Sequence, residues 1–365
     1  MALRVGLCVR VRTCVRACVN KMGKRTTWTQ PTLAKTLGVA EPRGVYRTLR
    51  AIGAPRVTRK PVVLDLFCGL GGWTEGCRQA GFQTVLAIDS NMRLLRLHKR
   101  NHPGCTHTAM TLGPETEEDL VRMIRAHVPE GQPFHLHGSP PCQQLTASAA
   151  MRGERSLAKG LRLVDWYLRL VARLRPWTWS MEEVAHPMVH RALAQARAQH
   201  PKLVAYAQRV RMCEYGVPQT RRRCIAGTPR IIERLVSDAR LRARAPTIRE
   251  VLTPPEGASL MMTSLGKPPD PDLTVRLGDG TFVSHEGERF TRSLDRVAWT
   301  CVAQHTHRWC TPDFQGIRVL TAHEHLLLQA FPPSYKIGKG VTLPNLGIGN
   351  AVPPLFAKKF MSCVK

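Results

Sequence analysis

From Pro61 to Gly227 the chain repeats one pattern: a short apolar run, a turn, and then a stretch with helical spacing. Val62–Phe67, Thr84–Asp89, Phe134–His137, Thr178–Glu182 and Arg223–Gly227 read as strands. Trp73–Ala80 opens as a helix. Leu163, Val164, Tyr167, Leu168, Val171 and Leu174 recur at the spacing of an amphipathic helix ahead of the fourth strand. Strands that alternate with helices pair in parallel through crossovers, and each crossover helix covers one face of the sheet. The pattern therefore predicts an α/β fold, a doubly wound, parallel-rich sheet covered on both sides. After Gly227 it lapses: residues 229–315 carry repeated Pro and Gly and no clear period, which predicts a smaller irregular domain.

A chain of 365 residues with 43% apolar content can bury a large core plus a smaller one. None of its apolar runs approaches the roughly eighteen residues of a membrane span. The net charge of +28 attracts polyanions. Nucleic acid is the expected partner, and an anionic membrane surface the alternative. Residues 1–60 hold fourteen Lys and Arg against the single acid Glu41. Met1–Asn20, where Arg alternates with Val, Leu and Cys, reads as a basic arm on phosphates, as a mitochondrial-type presequence, or as a segment upstream of a start at Met22. Within 30–53, Ala34 and Gly38, then Val45, Leu49 and Ile52, allow a helix-turn-helix or a helical lead-in to the main domain. The twelve cysteines form no CxxC pair, which fits a reducing compartment and free thiols.

Two stretches carry chemistry. Val62–Gly72 runs from a strand into a glycine-rich turn, where the backbone can approach a nucleotide-like ligand, and Asp89 ends the next strand where an acid can hold ribose hydroxyls. In His137–Thr146, Pro140 and Pro141 fix the backbone just before Cys142. A thiol on a rigid loop after a strand suits a nucleophile. Arg221 and Arg223 have the alternate spacing that puts two guanidinium groups on one face of a strand. Cys301, His305, His307 and Cys310 are ligand-like in type, but their spacing does not match zinc sites, and no metal is expected.

Asp65–Gly72, Ser139–Gln143, Glu182-Glu183-Val184, Gln219–Arg223 and Gly349–Pro353 occur in an order that closely resembles the cytosine-C5 DNA methyltransferase family. The resemblance covers roughly 61–228 and 316–365. It implies a Rossmann-like catalytic domain at 61–228, a target-recognition region at 229–315 and a C-terminal segment, 316–365, that returns to the catalytic domain, with 1–60 as a basic extension. It implies S-adenosyl-L-methionine as cofactor, lined by Phe67, Gly69, Leu70 and Gly71, with Asp89 on the ribose and Asn350 in the returning segment.

By the same resemblance Cys142 attacks carbon 6 of a flipped cytosine, Glu182 donates to ring nitrogen 3, and Arg221 and Arg223 hold the base and favour the thiolate. Glu183 stands where the family usually has Asn, and either raises the pKa of Glu182 or points to solvent. The loop Ala147–Lys159, with Arg152, Arg155 and Lys159, is suited to closing over the base or is simply solvated. Double-stranded DNA is the expected partner, a monomer the expected state, and an intracellular site wherever DNA lies the expected location. Two alternatives stay open. The tRNA-methylating branch shares Ser-Pro-Pro-Cys-Gln, although its Cys-Phe-Thr triplet is absent here; the other is a DNA-binding relative that has lost turnover.

Overall fold

The computed structural model describes residues 59–141, 154–201, 203–262, 274–276, 282–284, 291–303, 307–311, 318–340 and 342–364. The basic arm and helix-turn-helix expected before residue 59, the nucleophile Cys142, the first half of the 147–159 loop and His305 lie outside them.

In chain order the elements are β1 Val62–Leu66, α1 Gly72–Gln79, β2 Thr84–Asp89, α2 Met92–Asn101, β3 Thr106–Ala109, α3 Glu117–His127, β4 Phe134–Gly138, α4 Glu154–Leu174, β5 Thr178–Val184, α5 Pro187–Gln199, β6 Tyr206–Arg211, β7 Arg222–Gly227, α6 Pro229–Ser237 and α7 Ile248–Val251. Then come β8 Ser259–Met262, β9 Thr274–Arg276, β10 Phe282–Ser284, β11 Thr291–Arg292, β12 His307–Cys310, β13 Arg318–Val319, α8 Ala322–Leu328, α9 Thr342–Asn350 and α10 Pro354–Ser362. Local chemistry sets several helix starts. The Asn91 side chain accepts from the amides of Arg93 and Leu94 and opens α2, and Thr321 with Glu324 forms a reciprocal cap on α8.

Seven strands form one sheet in the order β3-β2-β1-β4-β5-β7-β6. The first five are parallel, and β7 runs antiparallel to both β5 and β6. Every expected strand is present within a residue or two. The sequence reading missed β3 and β6, the two edges. An edge strand buries little, and Thr-His-Thr-Ala and Tyr-Ala-Gln-Arg-Val-Arg carry almost no apolar signal.

One face is covered by α3, α4 and α5 through Leu64, Leu66, Ile88, Leu136, Trp166 and Met181. The other lies under α1, α6 and α10 through Val63, Trp73, Ile225, Ile232, Phe356 and Phe360. The region expected to begin the recognition domain at 229 thus starts with a helix, α6, that packs into this second layer. Helix α4 also corrects an expectation: it begins at Glu154, so residues 154–159 are helical rather than loop. Glu, Arg, Leu, Ala and Lys are strong helix formers, and the 21-residue helix runs straight through them.

Beyond α7 the expected irregular region contains a four-stranded antiparallel sheet, β11-β8-β12-β13, and a β9–β10 hairpin. Leu260, Trp309, Leu320 and Leu328 are among the residues of its apolar core. The chain direction across the main sheet reverses between β1 and β4. That places a crevice at the carboxyl ends of these strands, the position where open α/β sheets bind ligands.

Candidate active site

Three strand ends build the crevice. Past β1 the backbone takes a left-handed path that few side chains tolerate: φ is 59° at Phe67, 51° at Gly69 and 97° at Gly71. The Asp89 carboxylate at the end of β2 straps this loop, accepting from the Gly69 amide at 2.8 Å and the Asn91 amide at 2.7 Å. Burial raises the Asp89 pKa above the usual carboxylate range. Deeper in β1, burial pushes Asp65 up to about 7 even though the Thr74 hydroxyl donates to it at 2.7 Å.

The loop is open on one side and closed on the other. A Cβ placed on Gly69 meets nothing within 4 Å, whereas one on Gly71 would lie 2.7 Å from the His98 ring and 2.8 Å from the Tyr335 oxygen. A Cβ on Gly72 would lie 2.1 Å from the Val352 carbonyl oxygen. Leu70 is enclosed among Leu97, Phe331, Tyr335 and Ile348, and its carbonyl accepts from the Tyr335 hydroxyl at 2.6 Å. Phe67 sits edge-on to Trp166 at 6.2 Å. The open space at Gly69 beside the half-buried Asp89 fits a ribose-bearing cofactor. Leu70 is placed to shape the loop from behind and does not face that space with its side chain. Asn350 is exposed at the end of α9, just before the segment whose Val352 covers Gly72.

On β5, Glu182 is buried and points to the face that also carries Arg223 and Arg221. Arg223 Nε lies 2.8 Å from Glu182 Oε1, and Arg221 Nη2 lies 3.7 Å from the same oxygen. The two arginines differ in surroundings. Arg221 is 1% exposed and donates to the Cys301 carbonyl at 3.2 Å and the Gly349 carbonyl at 3.1 Å. It therefore ties the start of β7 to the segment at Cys301 and to α9, while Arg223 is the more exposed of the two guanidiniums.

Glu183 faces the other way, into the core between β5 and β7 opposite Cys224. Its Oε2 accepts from the Val184 amide at 2.8 Å, and its Oε1 has no hydrogen-bond partner among the described residues. Burial holds its pKa well above the usual range. The expectation that it points to solvent is wrong, because alternation along β5 turns it inward wherever Glu182 faces the crevice.

Sequence reasoning missed three features. Gln219 donates to the Leu328 carbonyl at 2.9 Å and accepts from the Cys301 amide at 3.0 Å, joining three segments in one buried knot with Gln329. Tyr335 closes the glycine loop. His135 and His137 on β4, with Thr178 and Ser180 on β5, form a buried polar row whose alternate spacing was visible as His-x-His and Thr-x-Ser-x-Glu. In the ligand-like group near the small domain, His307 meets the His325 ring at 3.2 Å, and Cys310 donates to the Thr311 carbonyl.

The fold is a doubly wound, Rossmann-like sheet with its crevice at the strand carboxyl ends. The family described as C-5 cytosine-specific DNA methylase matches residues 62–230, a little under half of the chain. The chain is 34% identical over 169 residues to the Type II methyltransferase M.AgeI of Thalassovita gelatinovora, covering 44% of this chain and 37% of that relative's length. It is 26% identical over 308 residues to M.HgiDI of Herpetosiphon aurantiacus, covering 80% and 89% of the two chains. The crystal structure of a triple mutant of Spodoptera frugiperda DNMT2 shares the fold at a TM-score of 0.54, with 14% identity over 84% of this chain and 99% of that one.

Proposed function

We propose that this protein transfers a methyl group from S-adenosyl-L-methionine to carbon 5 of cytosine in double-stranded DNA, with Cys142 as nucleophile. The observation that carries the reading is the Glu182–Arg223 pair at 2.8 Å, set at the carboxyl end of β5. It lies beside the end of β4, where Gly138 pairs with Met181 and three residues lead on to Cys142.

Carbon 5 of cytosine is a weak nucleophile until a group adds to carbon 6. The Cys142 thiolate forms a sulfur–carbon 6 bond, and the electron pair displaced from the double bond moves to carbon 5. A free thiol with a pKa near 8.5 is only a few per cent ionised at about pH 7, so a positive charge such as that of Arg223 would favour the reactive form. Glu182 hydrogen-bonds ring nitrogen 3 and stabilises the added state, and Arg223 takes oxygen 2. When bound, S-adenosyl-L-methionine supplies an electrophilic methyl group. Gly69 and Gly71 would give the loop its shape around it, and Asp89 would hold its ribose hydroxyls with the lone pairs left after serving the two amides. Loss of the carbon-5 proton and departure of the Cys142 sulfur restore the ring. In a duplex the target base must leave the stack, at about a few kcal/mol, offset by pocket and phosphate contacts.

The test is methyl transfer from labelled S-adenosyl-L-methionine to unmodified duplex DNA, with tRNA and Cys142→Ala in parallel. 5-Methylcytosine in DNA that disappears with Cys142→Ala is the expected result. Label in tRNA alone would move the protein to the RNA branch. No label in either, with salt-sensitive DNA binding intact, would make it a binding protein.

A further inference from the structure

Under the Glu182 rung, four hydrogen bonds run across two strands in a single row. Thr178 Oγ1 meets His135 Nδ1 at 2.9 Å, and His135 Nε2 meets Ser180 Oγ at 2.9 Å. Ser180 Oγ meets His137 Nδ1 at 2.8 Å, and His137 Nε2 meets Ser139 Oγ at 2.8 Å. His135, His137, Thr178 and Ser180 are each 0% exposed. The Trp73 indole stacks on the His137 ring at 3.5 Å and 5°, and the Tyr167 hydroxyl donates to the Ser180 carbonyl at 2.8 Å from the opposite layer.

This row is costly to build. Each buried polar group left without its partner would be penalised for its lost hydration, and apolar side chains would fill the same layer with no such risk. It also does not conduct protons outward, since its far end, Thr178, is fully enclosed. What it does is give direction. A neutral imidazole has one N–H and one bare nitrogen. When Ser180 donates within the row, both rings must take the same tautomer and the whole row is polarised one way. Burial keeps both rings neutral, with His135 held down to about 3.

The row ends on Ser139, whose own amide donates to the Leu66 carbonyl at 3.3 Å. Ser139 is thus tied by side chain and backbone immediately before Pro140 and Pro141, which offer no amide and little torsional freedom. We propose that His137 and Ser139, braced by His135, Ser180 and Thr178, are positioning residues that set where the nucleophile loop leaves β4. This rests on the assignment of Cys142 as nucleophile, because the row touches no reacting atom and acts through the loop.

The experiment uses the full chain and three variants: Ser139→Ala, His137→Asn and His137→Gln. A glutamine amide reaches the position of Nε2 and can keep the bond to Ser139, whereas asparagine reaches only that of Nδ1. Single-turnover methylation of duplex DNA, S-adenosyl-L-methionine affinity by calorimetry, Tm, and the rate of Cys142 alkylation by iodoacetamide (read by peptide mass spectrometry) are measured for each. Ser139→Ala and His137→Asn should lower the single-turnover rate by about 10- to 100-fold and change Cys142 alkylation at least about threefold, with cofactor affinity within about twofold. His137→Gln should keep the rate within about threefold despite a similar loss in Tm. Equal behaviour of the Asn and Gln variants in both assays, or a Ser139→Ala protein that matches wild type, would overturn the proposal. A wild-type protein without methylation but with the expected alkylation pattern would remove the proposed function and leave the positioning role standing.

Discussion

At Glu182 two guanidinium groups approach one carboxylate, and their other contacts separate their roles. Arg223, at 2.8 Å, otherwise donates to its neighbour's carbonyl at Arg222 and ties no distant segment, so its loss should be read in chemistry. Arg221, at 3.7 Å, spends its donors on the Cys301 and Gly349 carbonyls, so its loss should be read in stability. Arg223→Lys is expected to lower kcat/KM by about 100-fold with Tm nearly unchanged, because lysine lacks the planar fork. Arg221→Lys is expected to lower Tm clearly, and thermal melts beside kinetic assays check both.

Glu183 gives a prediction with a sign. Its pKa is raised in the folded state, so the stability it contributes is fully present below the unfolded value of 4.5 and is lost as pH rises toward the folded value. Glu183→Gln removes that loss. The urea midpoint of the variant minus that of wild type should therefore grow between pH 5 and about pH 8. A flat difference would show that Glu183 is not held neutral by burial.

Among the elements, α1 and α10 pack tightly against each other. A Cβ on Gly76 would lie 2.4 Å from the Ala357 Cβ and 2.6 Å from the Pro354 carbonyl oxygen. Gly76→Ala must push these helices apart, and a loss of about 1–3 kcal/mol by chemical denaturation is expected. This contact was beyond the reach of sequence reading, since it joins positions some 280 residues apart. The strands that run through the core were legible because burial on both faces demands near-continuous apolar runs such as Val62–Leu66, broken only by Asp65. The polar edges β3 and β6 were not, and neither was the start of α4, where charged residues read equally well as a solvated loop. At the site, the glycine loop and Asp89 were legible from residue type and spacing. The split between Arg221 and Arg223 was not, because it depends on carbonyls contributed by Cys301 and Gly349.

Across the whole molecule, buried histidines dominate the response to acid. His98, His102, His135, His137, His307 and His325 all have pKa values lowered by burial, to about 4 at His102 and His325 and about 3 at His135 and His307. Each stays neutral in the folded chain and takes a proton in the unfolded one below 6.5. Their stability is present above that pH and lost as pH falls, at about 1.4 kcal/mol per histidine per pH unit. The raised carboxyls Asp65, Asp89 and Glu183 act in the opposite direction but are fewer. Tm is therefore expected to fall steeply from pH 7 to pH 5, and a Tm that holds level would contradict the burial of these rings.

The Val352 carbonyl that overlies Gly72 sets an order in time. The glycine loop after β1 is among the first parts of the sheet to leave the ribosome, yet the peptide that roofs it is made about 280 residues later. During synthesis the nascent chain must carry a half-built pocket, with the Leu70 side chain and the α1 surface bare to water. Contacts this distant in sequence also close slowly. The interval between making β1 and making α10 is thus the time when the protein is most exposed to chaperones, proteases and self-association.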